Sequence, residues 1–251
     1  MSLRYYRVAD IGNTLTKVAI YCESDLVDIY TGANPNDAAF RTFLNNFPAD
    51  AWIISSVVDN ASGFEDVIKN QKPGLKLNHQ TPLPINIRYS TPETLGNDRI
   101  ANMVGAQAAF PGEAVLVIDA GTCIKYDILL PDASYPGGTI APGIQMRLSA
   151  MHNFTSQLPL IQLNPLDAEK DFPVIGDSTK GSLISGSIMA AIMEAEGIIA
   201  YYREQFGNLK VMLTGGDASY FATRLKNEIF AVPNLTLNGL QTILHYNINS
   251  I

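Results

Sequence analysis

The sequence has few of the residues on which disulfide-rich, zinc-binding and secreted proteins depend. Its 251 residues include 2 cysteines and 3 histidines, and neither set has the spacing of metal ligands, which argues against a disulfide framework and a zinc enzyme. No apolar run approaches the roughly 18 residues that cross a bilayer, and the N-terminal segment lacks a signal-peptide core. We therefore expect a cytoplasmic protein with reduced thiols and no membrane partner.

Positive charge is also scarce. There are 17 Lys and Arg against 24 Asp and Glu, a formal net charge of -7, and no basic cluster occurs. Because nucleic acids are held by basic stripes, we expect no nucleic-acid partner. The length predicts one to two domains, and a hydrophobic content of 47% lets each of them bury a core.

Two short segments about half the chain apart resemble each other. Asp10 to Lys17 reads DIGNTLTK and Asp119 to Tyr126 reads DAGTCIKY, and each stands between two apolar, strand-like runs. A strand, an Asp-x-Gly turn and a second strand are typical of a hairpin. The recurrence favours a duplicated domain, although a match this short also arises by chance.

Strand and helix patterns alternate along the rest of the chain, which predicts an α/β fold. The long helix over 178–206 carries small residues, which suit either a helix–helix or subunit contact or ordinary core packing. The predicted helices cover residues 36–47, 63–69, 97–110, 178–206 and 220–230, and the predicted strands include 52–58 and 210–213.

Glycine turns beside carboxylates indicate phosphate binding. The turn at residues 12–14 can present backbone N–H groups to phosphate oxygens, and Asp10 has the charge to hold a hydrated divalent cation. A single such turn is more often an ordinary tight turn than a phosphate site. The P-loop pattern G-x-x-x-x-G-K-[ST] and the dinucleotide pattern G-x-G-x-x-G are absent, so a nucleotide must be bound by another fold.

Two phosphate hairpins followed by a late Gly-Gly turn resemble the actin-like and sugar-kinase-like ATPases. At finer grain the chain resembles the type III pantothenate kinases. The matching segments are residues 10–17, 89–99, 119–122 with 137–143, 176–179 and 214–217. The resemblance implies two duplicated ribonuclease-H-like domains, residues 1–110 and 111–251, with a nucleotide cleft between them.

The same resemblance implies ATP-dependent phosphorylation of pantothenate to 4'-phosphopantothenate, the first step of coenzyme A biosynthesis, by a homodimer. It implies Mg²⁺ with ATP and a monovalent cation, K⁺ or NH4⁺, held by Asp119. Asp98 corresponds to the proton acceptor, and Asp10 is a candidate magnesium ligand. The implied ATP contacts are Asp10, Ile11, Gly12, Asn13, Thr14, Leu15, Thr16, Lys17 and Thr122. The implied pantothenate contacts are Tyr89, Gly96, Asn97, Asp98, Arg99 and Thr179.

The residue types suit these implied roles. Phosphoryl transfer needs positioning, charge neutralisation and a carboxylate that accepts the hydroxyl proton. Asp98 falls in the first turn of a predicted helix, where the helix dipole favours a negative charge. Arg99 can bind a substrate carboxylate through two parallel hydrogen bonds. Taken alone, the Asp98-Arg99 pair is also typical of an exposed helix start.

The chain departs from the family pattern D-A-G-T-A-x-T-x-D at two positions. Cys123 replaces the small residue and Lys125 replaces the threonine, whereas Asp127 is retained. Lys125 can contact ATP, compete with the monovalent cation or be an ordinary surface lysine, so the dependence on potassium is open. Ser178 is predicted to be a helix N-cap and Glu93 to be structural.

Two alternatives remain at this point. One is a non-enzymatic regulator of gene expression built on the same fold, and the other is a kinase for a different small hydroxy acid or sugar. The intact carboxylates of Asp10, Asp98 and Asp119 favour an enzyme. Arg99 favours an acceptor that carries a carboxylate over a neutral sugar.

Overall fold

The structure is a computed structural model that describes residues 3–12, 15–33, 37–56, 62–69, 72–164, 167–168 and 170–248. Two of the predicted ATP contacts, Asn13 and Thr14, lie outside the described residues. In chain order the elements are β1 (Tyr5–Ile11), β2 (Thr16–Cys22), β3 (Asp25–Gly32), α1 (Ala38–Asn46), β4 (Ala51–Ser56), α2 (Ser62–Lys69), β5 (Gly74–Lys76), β6 (Asn86–Ile87), a 3₁₀ turn (Pro92–Thr94), α3 (Asn97–Ala109), β7 (Ala114–Ala120), β8 (Cys123–Leu129), β9 (Ser134–Tyr135), β10 (Gly137–Pro142), α4 (Ile144–Asn153), α5 (Thr179–Phe206), β11 (Leu209–Thr214), α6 (Ala218–Ala222), β12 (Phe230–Ala231) and α7 (Leu235–Asn247).

The chain divides into two compact units. The first comprises Met1–Ala109, Ala133–Tyr135 and Leu235–Ile251, and the second comprises Phe110–Asp132 and Pro136–Asn234. Each unit is built on a five-stranded mixed sheet, with strand order β3-β2-β1-β4-β5 in the first and β10-β8-β7-β11-β12 in the second. In both, three antiparallel strands are followed by two strands parallel to the central one. The prediction of a duplicated α/β domain is confirmed.

Helices cover both faces of the first unit's sheet, which explains why its central strands are largely buried. On one face, α1 and α2 pack through Phe40 and Phe64 against Ala9, Val18 and Ile54. On the other, α7 packs on β1 and β4 and lies against α3. The short strands β6 and β9 pair in parallel at the margin of this unit.

The position of α7 differs from the predicted domain limits, which assigned residues 235–251 to the second domain. A Cβ atom at Gly239 would lie 1.8 Å from the carbonyl oxygen of Ala101, and one at Gly105 would lie 2.7 Å from Leu235. The two glycines therefore allow α3 and α7 to pack with their backbones almost in contact. This close approach places the final helix in the first unit.

The core of the second unit forms around α5. Ile188, Ile192 and Ile199 of this helix are buried against the sheet strands β7 and β11. Among the described residues, α5 is the one helix that is long and apolar enough to cross a membrane by length and composition. Within that window 44% of the residues are buried, so core packing accounts for part of this composition.

One predicted helix, over residues 220–230, is wrong. The helix α6 ends at Ala222, and Phe230 already belongs to β12, which pairs with β11. Glu196 of α5 accepts hydrogen bonds from the backbone N–H of Lys226 and the side-chain amide of Asn227, each at 2.6 Å. These contacts with α5 hold the residues between α6 and β12 as a loop. Because Glu196 is distant in the sequence, the pattern of residues 220–230 alone could not reveal them.

Candidate active site

The same carboxylate–lysine arrangement occurs at the end of the central strand in each unit. Asp10 is the second-to-last residue of β1 and lies directly opposite Lys17 of β2. Asp119 is the second-to-last residue of β7 and lies directly opposite Lys125 of β8. The second turn is one residue shorter than the first, so Lys125 corresponds to Lys17 in the strand register. Aligning the two segments without a gap would instead pair Lys17 with Tyr126.

In the first unit, Asp10 is fixed by a neighbouring strand. The hydroxyl of the fully buried Ser55 in β4 donates to Oδ1 of Asp10 at 3.2 Å. The turn that follows is closed by the N–H of Gly12, which donates to the carbonyl of Leu15 at 3.1 Å. Asp10 is half-buried at the carboxyl end of β1, an edge where ligands bind in α/β sheets.

The predicted ATP contacts of this hairpin differ in accessibility. The side chains of Ile11 and Thr16 are buried, with 2% and 3% exposure. Leu15 is exposed, and Gly12 and Lys17 are half-buried. Among the described residues of the hairpin, Gly12, Leu15 and Lys17 therefore lie nearer the surface than Ile11 and Thr16.

Asp98 lies in the first turn of α3, as the sequence predicts. The carbonyl of Gly96 accepts hydrogen bonds from the N–H groups of Arg99 and Ile100 at 3.1 and 3.2 Å, so the helix begins immediately after it. Oδ1 of Asp98 accepts a hydrogen bond from the N–H of Arg99 at 2.9 Å. The half-buried carboxylate therefore rests on the helix N-terminus, where the dipole favours its negative charge.

Asn97 connects the start of α3 to the same sheet edge that carries Asp10. Its side-chain amide donates to the carbonyl of Leu77 at 3.1 Å and to that of Ser56 at 3.4 Å. Ser56 directly follows Ser55, the residue that bonds to Asp10. The first unit thus brings Asp10 and the helix start with Asp98 to one edge of its sheet.

A polar cavity of about 320 Å³ opens at this edge. Its volume is at the lower end of the range found for small-molecule sites. The lining residues are Ser56, Asn78, His79, Pro92, Glu93, Thr94, Leu95, Gly96 and Asn97. Gly96 and Asn97 are predicted substrate contacts, whereas Ser56, Asn78 and His79 come from separate segments and carry no sequence signal of their own.

Arg99 and Tyr89 are also brought together. Arg99 is 4% exposed, and its guanidinium lies 5.4 Å from the centroid of the Tyr89 ring and 6.0 Å from that of Tyr135. Tyr135 belongs to β9, which the sequence does not mark as functional. The two aromatic rings fix the guanidinium through cation–π contacts. The role of Arg99 toward a substrate carboxylate stays a prediction.

In the second unit, three glycine turns meet at the end of β7. The N–H of Gly143 donates to the carbonyl of Thr122 at 3.1 Å, and a Cβ there would lie 2.1 Å from the oxygen of Gly121. Gly215 has φ +98, and its Cβ would lie 2.1 Å from the oxygen of Ala120. Turns that approach this closely expose backbone rather than side chains, which suits phosphate oxygens.

Two acidic groups lie near these turns. The N–H of Asp217 donates to the carbonyl of Ala120 at 2.9 Å, and burial raises the pKa of the Asp217 carboxyl group. Asp119 is paired with Lys125, whose Nζ lies 2.8 Å from Oδ2 of the carboxylate. The charge of Asp119 is therefore already compensated by the protein.

The predicted contact Thr179 is the first residue of α5 and is exposed. The preceding Ser178 is the N-cap, and its hydroxyl accepts a hydrogen bond from the N–H of Gly181 at 3.2 Å. The prediction that Ser178 caps this helix is confirmed.

The described part of the chain contains no group of three or more His, Cys, Asp or Glu residues that could hold a metal ion. Magnesium in kinases is commonly held by one or two carboxylates together with substrate phosphates, and the half-buried carboxylate of Asp10 fits that requirement. A monovalent cation at Asp119 fits less well, because the ammonium group of Lys125 already lies against that carboxylate.

Solved structures share this fold across nearly the whole chain. A Campylobacter jejuni protein named as a Baf family transcriptional activator has a TM-score of 0.59 and 21% identity, covering 97% of this chain and 99% of its own. The activator of the 2-hydroxyisocaproyl-CoA dehydratase from Clostridium difficile has a TM-score of 0.53 and 12% identity, covering 98% and 95%. At these identities the likeness concerns the fold alone.

Sequence similarity is much closer to one family. Type III pantothenate kinases from Phocaeicola vulgatus, Bacteroides fragilis and Christiangramia forsetii are 38%, 40% and 41% identical to this chain. Each alignment covers 96% of this chain and 97% or 98% of the relative. The sequence model of the type III pantothenate kinases matches residues 8–201. The chain therefore belongs to the type III pantothenate kinase family.

Proposed function

We infer that the chain transfers the terminal phosphoryl group of ATP to the primary hydroxyl of pantothenate, the first step of coenzyme A biosynthesis. Its family membership supports this activity. The structural observation that carries the assignment of residues is the position of Asp98, fixed at the start of α3 beside a polar cavity of about 320 Å³. The same sheet edge carries Asp10, a carboxylate suited to a metal bound with phosphates.

In the proposed mechanism, pantothenate occupies this cavity with its hydroxyl toward Asp98. Gly96 and Asn97 line the cavity directly before that residue. The hydroxyl oxygen of pantothenate attacks the terminal phosphorus of ATP, ADP leaves, and Asp98 accepts the hydroxyl proton. The helix N-terminus keeps the Asp98 carboxylate oriented. Arg99 and Tyr89 hold the carboxylate end of pantothenate, and the aromatic stacking of Arg99 limits the rotation of its guanidinium.

We propose that ATP contacts glycine turns of both units. In the first, the contacts are made by the turn that follows Asp10, with Gly12 and Lys17. In the second, they are made by the turn at Thr122, beside Gly143. Asp10 is the residue that would hold magnesium bound with ATP, and the metal would neutralise part of the phosphate charge. Thr179 is a further proposed pantothenate contact.

We propose a homodimer in the cytoplasm. The family resemblance suggests the dimer, and exposed apolar side chains on and beside α5 support it, among them Ile175, Met193 and Tyr201 at 84%, 52% and 59% exposure. Light scattering coupled to gel filtration tests the dimer, with a single-chain mass as the result against it.

The assignment of Asp98 is tested by Asp98→Asn, which keeps the shape of the side chain and removes its basicity. We expect kcat to fall by at least about 10²-fold, because proton acceptance contributes rate factors of about that size or more. The affinity for a non-hydrolysable ATP analogue should stay within about twofold, since the amide disturbs no proposed ATP contact. Asp66→Asn, an exposed change in the same unit, is the charge-matched control.

A panel of acceptors separates this function from its alternatives. ADP release is measured by chromatography with pantothenate, glucose, N-acetylmannosamine and glycerate as acceptors. A pantothenate kinase turns over pantothenate best, another kinase prefers a different compound, and a regulator turns over none. If Asp98→Asn keeps more than a few per cent of the pantothenate activity, Asp98 is not the proton acceptor.

A further inference from the structure

Lys125 and Asp119 form an ion pair in the hairpin beside the second glycine turn. They are direct cross-strand partners of β8 and β7, and Nζ of Lys125 lies 2.8 Å from Oδ2 of Asp119. The side chains are 19% and 14% exposed, so the pair is largely shielded from water and from salt. Gly121 and Thr122 lie two and three residues after Asp119, so the ion pair stands at the base of the proposed phosphate turn.

The pair involves Asp119, the residue to which the family resemblance assigns the monovalent cation. A potassium ion in a protein replaces its hydration shell with several oxygen atoms from carbonyls and carboxylates. At Asp119, one carboxylate oxygen already accepts a hydrogen bond from a lysine ammonium group. Where the family pattern has a threonine, whose hydroxyl is neutral, this chain has a side chain that carries the positive charge itself.

The matching hairpin of the first unit has the same register, and its aspartate also contacts a neighbouring strand. Lys17 faces Asp10, and Oδ1 of Asp10 accepts a hydrogen bond from the hydroxyl of Ser55. The residue that corresponds to Ser55 in the second unit is Thr214, opposite Asp119. The strand beside the aspartate thus supplies a serine in the first unit and a threonine in the second.

We propose that the ammonium group of Lys125 is the resident monovalent cation of this enzyme, so that its activity does not require potassium or ammonium ions. This proposal rests on the proposed kinase function. The charge of a lysine is tied to the chain, and no ion has to be bound from solution. It neutralises Asp119 at all salt compositions and keeps a positive charge beside the turn that receives the phosphates of ATP.

The test compares the wild type with Lys125→Thr, which restores the residue of the family pattern. Activity is measured by direct chromatography of ADP, so that no coupling enzyme adds its own need for a cation. The buffer contains Tris, magnesium and either tetramethylammonium chloride or potassium chloride at equal ionic strength. We expect kcat/KM of the wild type to agree within about twofold between the two salts.

Lys125→Thr is expected to lose about tenfold or more in kcat/KM without potassium and to recover most of it with potassium or ammonium. A second readout does not depend on activity. Potassium that binds the vacated site should raise the melting temperature of Lys125→Thr by about 2–4 °C and leave that of the wild type unchanged. Lys125→Arg, which keeps the positive charge, should remain insensitive to potassium in both measurements.

Lys17→Thr removes the corresponding lysine of the first hairpin and is the matched control. It is expected to gain no potassium response, whatever its effect on ATP use. Activation of the wild type by potassium about fivefold or more would overturn the proposal. This test uses the wild-type protein alone, so it does not depend on the folding of any variant. A loss of activity in Lys125→Thr that neither cation restores would also overturn it, because Lys125 would then act on ATP directly. Absence of turnover in the wild type with any salt would instead contradict the kinase function.

Discussion

A Cβ atom on Gly96 would lie 2.5 Å from Oδ1 of Asp98, so the carboxylate can keep its position over the start of α3 because residue 96 has no side chain. The nearest atom is the end of a side chain that can rotate. A larger residue at position 96 therefore displaces the carboxylate more readily than it disturbs the helix.

This relationship predicts the effect of Gly96→Ala. The methyl group should push the Asp98 carboxylate out of line with the acceptor hydroxyl, and misplacement by about 1 Å can cost about 10²-fold in rate. We expect kcat to fall by about 10-fold to 10²-fold, with a change in the free energy of unfolding below about 1 kcal/mol. Steady-state kinetics and urea denaturation measure the two effects. Gly197→Ala, inside α5 with open space around the Cβ, should leave kcat unchanged and raise the free energy of unfolding by up to about 1 kcal/mol through helix propensity. Unaltered kcat in Gly96→Ala would contradict the role of glycine here.

Gly215→Ala should act on stability. Gly215 has φ +98, and the Cβ would lie 2.1 Å from the backbone oxygen of Ala120, which cannot rotate away. We expect the free energy of unfolding to fall by about 2 kcal/mol or more, because strained backbone and steric overlap combine. The adjacent Gly216→Ala, with nothing near its Cβ, is the matched control. Equal urea midpoints for the two variants would show that the close contact at Gly215 does not constrain the fold.

Asp217 predicts a pH dependence of stability. Burial raises the pKa of its carboxyl group in the folded state, so folding favours the protonated form. The stabilisation is complete below the unfolded pKa of about 3.9 and is lost as pH rises through the higher folded pKa. Asp217→Asn removes the cost of the buried charge, so it should be more stable than the wild type at pH 7.

The gain from Asp217→Asn should shrink as pH falls toward about 3.9, where the carboxyl group is protonated in both states. Urea denaturation across this range measures the difference. Asp66→Asn, at an exposed site, controls for the change in net charge. A difference that is constant with pH would mean that the ionisation of Asp217 does not contribute to it.

The two hairpins could be predicted from the sequence because their signals are local. An Asp-x-Gly turn between two apolar runs specifies the strand ends and the positions of Asp10 and Asp119. The correspondence of Lys17 with Lys125 could not be predicted in this way, since the two turns differ by one residue. Only the strand register shows that both lysines face the aspartates.

The lining of the cavity could not be predicted because it depends on contacts between distant segments. Ser56 ends β4, and His79 belongs to a loop after β5, yet both meet the start of α3. The contacts of Arg7 in the core could not be predicted for the same reason. Its buried guanidinium donates to the carbonyls of Leu44 and Ile68, near the ends of α1 and α2. A lone arginine in a strand pattern gives no sign of such partners.

The packing of α7 against α3 has a consequence for the order in which the protein is completed during synthesis. The second unit ends at Asn234, before the residues that form α7 have been made. All of its strands can therefore pair without any residue of α7. The first unit, although its strands come earlier in the chain, must wait for α7 to be synthesised before its second sheet face is covered, and until then that face is an exposed apolar surface on the nascent chain.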